Sequence, residues 1–191
     1  ALVTLAYDER RSAFFRKELM TALQILEEGH VDPKNMRGSW AGAMGQSQFM
    51  PSSFMHYAVD GDGDGQKNIW QTEHDVFASA ANYLKENGWK TGEPTTQRVV
   101  LTEILPSMKI SRGLTTEKTV AEWAKLGVKP AGGSFPEDKT LKAKLYMPEG
   151  PSKASYLVYE NFDVILRWNR SSYFAFSVLQ LAKEIGKVKD S

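Results

Sequence analysis

The run Gly38-Ser39-Trp40-Ala41-Gly42-Ala43-Met44-Gly45-Gln46-Ser47-Gln48-Phe49-Met50-Pro51-Ser52-Ser53 is followed almost at once by Asp60-Gly61-Asp62-Gly63-Asp64-Gly65. The first part is crowded with Gly and Ala, which let a ligand approach the backbone closely. Gln46 and Gln48 add paired donors and acceptors of the kind a polyhydroxylated sugar needs. The second part is an apparent cation loop. Together they point to a carbohydrate groove joined to a cation site. The competing reading is a tight helix crossing in which the small residues only permit close packing.

The rest of the composition narrows the field. At 191 residues, 41% hydrophobic and 11% aromatic, the chain can bury a real core and fits one domain with a small appendage. A net charge of +1, with both signs interspersed, offers no basic stripe for a polyphosphate, so nucleic acid is not an expected partner. No apolar run approaches the roughly 20 residues that cross a bilayer. The absence of cysteine removes disulfide and thiol chemistry without naming a compartment. Ala1 to Tyr7 reads as the middle of an element, and a missing amino-terminal part is expected ahead of it.

From Ser12 to about Glu28 the residues Phe15, Leu19, Ala22, Leu23 and Leu26 recur at helical spacing, with Ser12 as cap and Gly29 as stop. Pro51 marks the start of a short helix through Tyr57. A helix is predicted from Asp75 to about Glu86, with Val76, Ala80, Tyr83 and Leu84 near one face and Asn87-Gly88 as stop. Between Gly92 and Gly150 the character changes to short β-rich runs, Arg98 to Leu101 and Leu141 to Tyr146, with one helix at Thr119 to Leu126. A strand at Ala154 to Tyr159 then leads into helices at Phe162 to Trp168 and Ser172 to Ile185, the last with Phe176, Leu179, Ala182 and Ile185 on its apolar face. The expected organisation is a helical region over 1–91, a small α+β subdomain over 92–153, and a strand and helices over 154–191 that return to the helical domain. The fold class is mainly α, of the α+β kind.

In the aspartate loop, Asp60, Asp62 and Asp64 place carboxylates at alternate positions. Gly65 supplies the sharp turn, Gln66 offers its backbone carbonyl, and Asn68 stands where a side chain or water completes the shell. Gln71, at the twelfth position, cannot give the bidentate carboxylate that usually closes a calcium loop. Asp75 and Glu73 are candidate closing ligands. Hard oxygen anions this close favour Ca²⁺ over a softer metal. The plainer reading is an Asx-rich turn, with His74 as a solvated loop residue.

Over nearly its whole length the chain resembles the membrane-bound lytic transglycosylase B family of peptidoglycan-cleaving enzymes. The resemblance rests on Arg37 to Ser53, Tyr57 to Gly65, Ala81-Asn82-Tyr83-Leu84 with Gly88-Trp89, and Asn161 to Ile165 with Trp168-Asn169-Arg170-Ser171. It implies a lysozyme-like catalytic domain carrying an EF-hand-like calcium loop, and a small β-containing subdomain. It further implies cleavage of the β-1,4 bond between N-acetylmuramic acid and N-acetylglucosamine without added water, leaving a 1,6-anhydromuramoyl end. Carried over residue by residue, the sugar contacts are Ser39, Gln48, Phe49 and Tyr83, with Gln46, Asn82 and Asn169 as weaker candidates. Trp40 and Trp168 offer either stacking platforms for pyranose rings or core packing; isolated Trp residues in a small helical domain are more often core, and both are left out of the site.

The family's catalytic Glu lies on the helix ahead of the stretch matched by Ala1 to Tyr7, so no catalytic acid is named among these 191 residues. Glu9 and Glu18 read as surface salt-bridging residues. By itself the chain is expected to keep the groove and calcium loop while turning over peptidoglycan poorly or not at all. A non-catalytic peptidoglycan-binding module and a calcium-stabilised structural domain are the alternatives. The substrate class places such a protein in the periplasm of a Gram-negative bacterium, among cell-wall machinery proteins, with any lipid anchor or leader lying upstream.

Overall fold

A computed structural model describes residues 1–8, 11–102, 113–150 and 153–189. The surface role expected of Glu9 lies outside the described residues. The chain divides into two compact units, 1–86 and 87–191.

Among the described residues the first unit holds four helices, α1 (Leu2–Tyr7), α2 (Ser12–Glu27), α3 (Pro51–Tyr57) and α4 (Glu73–Glu86). Ser12 is the first helical residue of α2 and not its cap. Arg11 occupies the N-cap in a left-handed conformation (φ 63°), and no side chain caps that end. Gly29, at φ 76°, terminates the helix as its lack of a Cβ allows. The fully buried stripe of α2 is Glu18, Ala22 and Ile25, while Leu23 is half exposed.

Glu18 therefore corrects the sequence expectation, being only 2% exposed. Its Oε2 accepts from the Ser52 N–H at 2.9 Å and its Oε1 from the Ser52 hydroxyl at 2.7 Å. The reason is local: α3 opens on Pro51, its first-turn N–H groups have no intrahelical partner, and a carboxylate suits both those donors and the positive end of the helix. α4 repeats the pattern, since the side chains it buries are Asp75, Ser79 and Tyr83.

The second unit is built on a five-stranded antiparallel sheet. Its strands are β1 (Thr96–Leu101), β2 (Lys118–Thr119), β3 (Val128–Pro130), β4 (Lys142–Tyr146) and β5 (Ser155–Tyr159), in the order β2-β4-β5-β1-β3. Helix α5 (Val120–Lys125) follows β2, and α6 (Glu160–Trp168) and α7 (Ser172–Lys189) follow β5. Thr119 and Glu122 form a reciprocal capping box at the start of α5. One apolar cluster packs Val99, Val120, Trp123, Val128, Leu145 and Leu157 together, and the buried Trp123 indole N–H donates to the Ala143 carbonyl at 2.9 Å.

The boundary expected at 153/154 is not where the chain divides. β5 is the middle strand, paired with β4 on one side and β1 on the other, so residues 154–189 group with the sheet. On α7 Ser172, Ala175 and Leu179 are buried, while Ala182 and Ile185, expected on the apolar face, are exposed.

Candidate functional site

Residues 38–49 fold into two consecutive tight turns, closed by bridges between Gly38 and Met44 and between Met44 and Phe49. In the first turn the Ser39 N–H donates to the Ala43 carbonyl at 2.7 Å, and the Ser39 hydroxyl accepts from the Ala43 N–H at 3.2 Å. Gly38 is required here, because a Cβ would strike the Ala43 carbonyl oxygen. Below the turn lies a cavity of about 200 Å³ lined by Leu2, Ala22, Met36, Ser39, Gly42 and Met44, among others.

The second turn, 45–48, carries both glutamines outward. Gln48 adopts the left-handed conformation (φ 52°), unusual without a glycine, and its Nε2 donates to the Gly45 carbonyl at 2.8 Å. Gln46 donates through its backbone N–H to the Ile69 carbonyl at 2.9 Å and through Nε2 to the Trp70 carbonyl at 3.1 Å. Both side chains remain solvent-accessible.

Phe49 is buried and packs with two tyrosines, its ring centroid 6.4 Å from Tyr57 and 5.7 Å from Tyr83, whose own rings are 4.6 Å apart. Tyr83 is 8% exposed, so both aromatic candidates serve the wall behind the turns. Asn82 donates through Nδ2 to the Tyr57 carbonyl at 3.0 Å. Ser39, Gln46, Gln48, Phe49, Asn82 and Tyr83 thus all belong to the first unit. Asn169 belongs to the second, where it ends α6 and accepts from the Ser171 N–H at 3.0 Å.

Trp40 was expected in the core and is instead 83% exposed at the tip of the first turn. The turn is too tight to fold a large side chain back under itself, so the indole projects to solvent. Trp168 is half-buried.

The aspartate loop gathers Asp60, Asp62 and Asp64 so that one ligand atom from each lies within 4.8 Å of the others. Backbone N–H groups orient these carboxylates. Asp60 accepts from Gly63 at 2.6 Å and Gly65 at 2.8 Å, Asp62 from Asp64 at 3.2 Å, and Asp64 from Gln66 at 2.7 Å. The Gly65 N–H, with help from Gly63 and Asp64, holds the Asp60 carboxyl below the usual aspartate range.

Asp75 is fully buried. It reaches back from α4 to accept from the Gly61 N–H at 2.7 Å and the Asn68 N–H at 2.6 Å, clipping both ends of the loop together. Gly61 sits so close to α4 that a Cβ would lie 2.5 Å from the His74 carbonyl oxygen. Asn68 Oδ1 accepts from the Trp70 and Gln71 N–H groups. Glu73 and His74 are exposed in the first turn of α4.

Sequence reasoning missed three residues that shape this site. Glu18 anchors the start of α3, Ser79 accepts from the Val59 N–H at 3.0 Å, and the Trp70 indole N–H donates to the Arg37 carbonyl at 2.8 Å. The helical spacing of Glu18 with Ala22 and Ile25 is the signal that could have revealed the first.

The chain is similar in sequence and fold to known proteins. The Transglycosylase SLT domain family model matches residues 1–183. The chain is 35% identical over 188 residues to membrane-bound lytic murein transglycosylase B of Escherichia coli, covering 97% of this chain and 50% of that protein. SltB3 from Pseudomonas aeruginosa, solved in complex with NAG-anhNAM-pentapeptide, superposes with a TM-score of 0.84 at 42% identity, over 93% of this chain and 47% of its own. The Escherichia coli lytic transglycosylase Slt35, solved in complex with calcium, gives a TM-score of 0.81 at 32% identity, over 100% of this chain and 59% of its own. The chain spans about half the length of the relatives it matches. With the match extending through both the turns of the first unit and the sheet of the second, this chain belongs to the transglycosylase SLT domain family.

Proposed function

We propose that this chain forms the glycan-binding turns and calcium loop of a peptidoglycan lytic transglycosylase, which cleaves the MurNAc-GlcNAc β-1,4 bond without water and leaves a 1,6-anhydromuramoyl end. The observation that carries this reading is the turn at 45–48, which presents the exposed Gln48 amide on a backbone pinned from behind. Fixed amide dipoles of this kind stabilise charge developing on a sugar ring better than mobile water does. The relative solved with NAG-anhNAM-pentapeptide supports the substrate class. In the first unit Ser39, Gln48 and Asn82 are the candidate polar contacts, and Phe49 and Tyr83 form the wall; Asn169, in the second unit, is a candidate by resemblance alone.

In this reaction a single carboxyl group protonates the leaving glycosidic oxygen. As the resulting carboxylate it takes the proton from the muramoyl C6 hydroxyl, whose oxygen closes onto the anomeric carbon as the old bond breaks. Glu18 is unsuited to that task, because both of its oxygens are engaged with Ser52 in a buried setting.

The aspartate loop fits an EF-hand-like Ca²⁺ site. Its donors are all hard oxygens, and Asp60, Asp62 and Asp64 lie close enough to share one ion. The Gln66 carbonyl, Asn68 and Asp75 are the candidates to complete the shell. When bound, calcium neutralises the mutual repulsion of these carboxylates, and the ion is structural. A rise in melting temperature between chelator and millimolar Ca²⁺ is expected; an unchanged melt counts against the site.

The substrate class places the protein in the periplasm, working alongside other cell-wall proteins. Among the described residues no helix is long and apolar enough to cross a membrane. The test of the activity is digestion of peptidoglycan sacculi followed by mass spectrometry. Anhydro ends are expected where the family's acid is present, with little or no turnover by residues 1–191 alone; reducing ends would indicate a hydrolase. Binding of glycan without products even where that acid is present would favour a non-catalytic peptidoglycan-binding module.

A further inference from the structure

Two features that stand apart in the sequence are joined in the first unit. Ile69 and Trp70, whose carbonyls hold Gln46, form the exit of the aspartate loop. Ile69 is fully buried and lies against Gly45, where a Cβ would come within 2.7 Å of its side chain and of its carbonyl oxygen. The Trp70 indole then bonds Arg37, just ahead of the first glycan turn.

No slack residue separates loop from turn. The Lys67 N–H donates to His30 Nδ1 at 3.3 Å, that of Asn68 to Asp75 at 2.6 Å, and that of Ile69 to the Lys67 carbonyl at 3.1 Å. The N–H groups of Trp70 and Gln71 both donate to Asn68 Oδ1, and that of Thr72 to the Asn68 carbonyl. A change in the order of the aspartate loop is therefore passed to the carbonyls that Gln46 holds.

We propose that Gln46 is a positioning residue linking the aspartate loop to the glycan turn, so that a divalent cation on the loop and a glycan on the turn each bind more tightly in the presence of the other. This rests on the function proposed above for both ligands. Without a cation, three carboxylates within 4.8 Å repel one another, and residues 67–70 gain freedom. A glycan binding to the turn must then order them, whereas with the cation in place that ordering is already done. Linkage requires the effect to be equal in both directions. The chemistry also separates two roles for Gln46: a sugar contact helps binding with or without cation, while a strut helps only when the loop it leans on is fixed.

The test measures by calorimetry the affinity for NAG-anhNAM-pentapeptide in Ca²⁺ and in chelator, for the unaltered protein and for Gln46→Ala, with Gln48→Ala as a control in the turn itself. About tenfold tighter binding in Ca²⁺ is expected for the unaltered protein, within the usual range of coupling between sites. Gln46→Ala should reduce that ratio below about threefold while leaving the chelator affinity unchanged. Its exposed side chain can be removed without unfolding the unit, which a melt in Ca²⁺ verifies. Gln48→Ala should weaken binding equally in both conditions. Glycan should in turn tighten Ca²⁺ by the same factor.

A ratio of one in the unaltered protein, or the same ratio in Gln46→Ala, overturns the link alone. Equal weakening of Gln46→Ala in both conditions makes it a direct contact and overturns the positioning role. Absence of glycan binding in every sample would defeat the proposed function, and the link with it.

Discussion

The two units solve the problem of holding a backbone in place by opposite means. In the second unit the hydrogen bonds that fix the chain run from strand to strand, and side chains from one apolar cluster fill the space behind them. In the first unit the stretch from 37 to 72 contains only one short helix. Its backbone is held instead by polar side chains, Glu18 on Ser52, Asp75 on Gly61 and Asn68, Ser79 on Val59, and Asn82 on Tyr57. A regular ladder gives stability but closes off its own N–H and C=O groups. Irregular turns pinned from behind leave donors and acceptors facing outward, which is what a polar ligand needs.

The largest way to separate the two designs is to remove the core of one. Trp123→Ala should cost the second unit about 3–5 kcal/mol, the usual penalty for truncating a buried aromatic. Hydrogen exchange should show lost protection in β1, β4 and β5 while Gly61, Asn68 and Ser52 stay protected. Loss of protection in both units together would mean that they do not unfold independently.

Asp75→Ala strikes the first unit at its polar centre. Two part-buried N–H groups lose a charged, fully buried acceptor, for an expected cost of about 3 kcal/mol, read as a lower urea midpoint. The altered protein should also lose any Ca²⁺-dependent rise in melting temperature. Glu18→Gln keeps the shape of the contact with Ser52 but removes the charge, and should cost about 1–2 kcal/mol. An unchanged urea midpoint for Glu18→Gln would show that the carboxylate contributes nothing beyond packing.

Smaller still, pH should act on the two units from opposite ends. The Asp60 carboxyl is depressed from 3.8 in the folded loop. Its stabilisation is complete above that value and disappears as pH falls through the lower folded one. Burial pushes the Tyr159 hydroxyl from 10.0 up to about 12. Its contribution to the second unit is complete below pH 10.0 and is lost as pH rises toward the folded value. Tyr159→Phe should flatten the alkaline limb of an unfolding curve followed by signals of the second unit, and leave the acid limb unchanged.

The same contrast explains what the sequence could reveal. Apolar spacing and breakers found α3, β1, β4, β5 and α5 to within about two residues, since those elements bury hydrophobic side chains or carry a clear cap. The strands Lys118–Thr119 and Val128–Pro130 are too short to show a period of two, and they emerge only as partners of longer strands. Glu18, Asp75 and Ser79 were invisible to a search for hydrophobic faces, because they are polar residues on the buried sides of helices. Asp75 was singled out for its charge, and its contacts with Gly61 and Asn68 depend on the path of a loop that no periodicity encodes. Trp40 failed in the opposite sense: an aromatic side chain suggested a core that a five-residue turn cannot supply.

The most direct test of the account is an amide NMR titration of the protein with NAG-anhNAM-pentapeptide in the presence of Ca²⁺. Shifts concentrated at residues 38–49, with smaller ones at Ile69 and Trp70, are predicted. Shifts confined to residues 87–191, with the turns of the first unit unmoved, would contradict it.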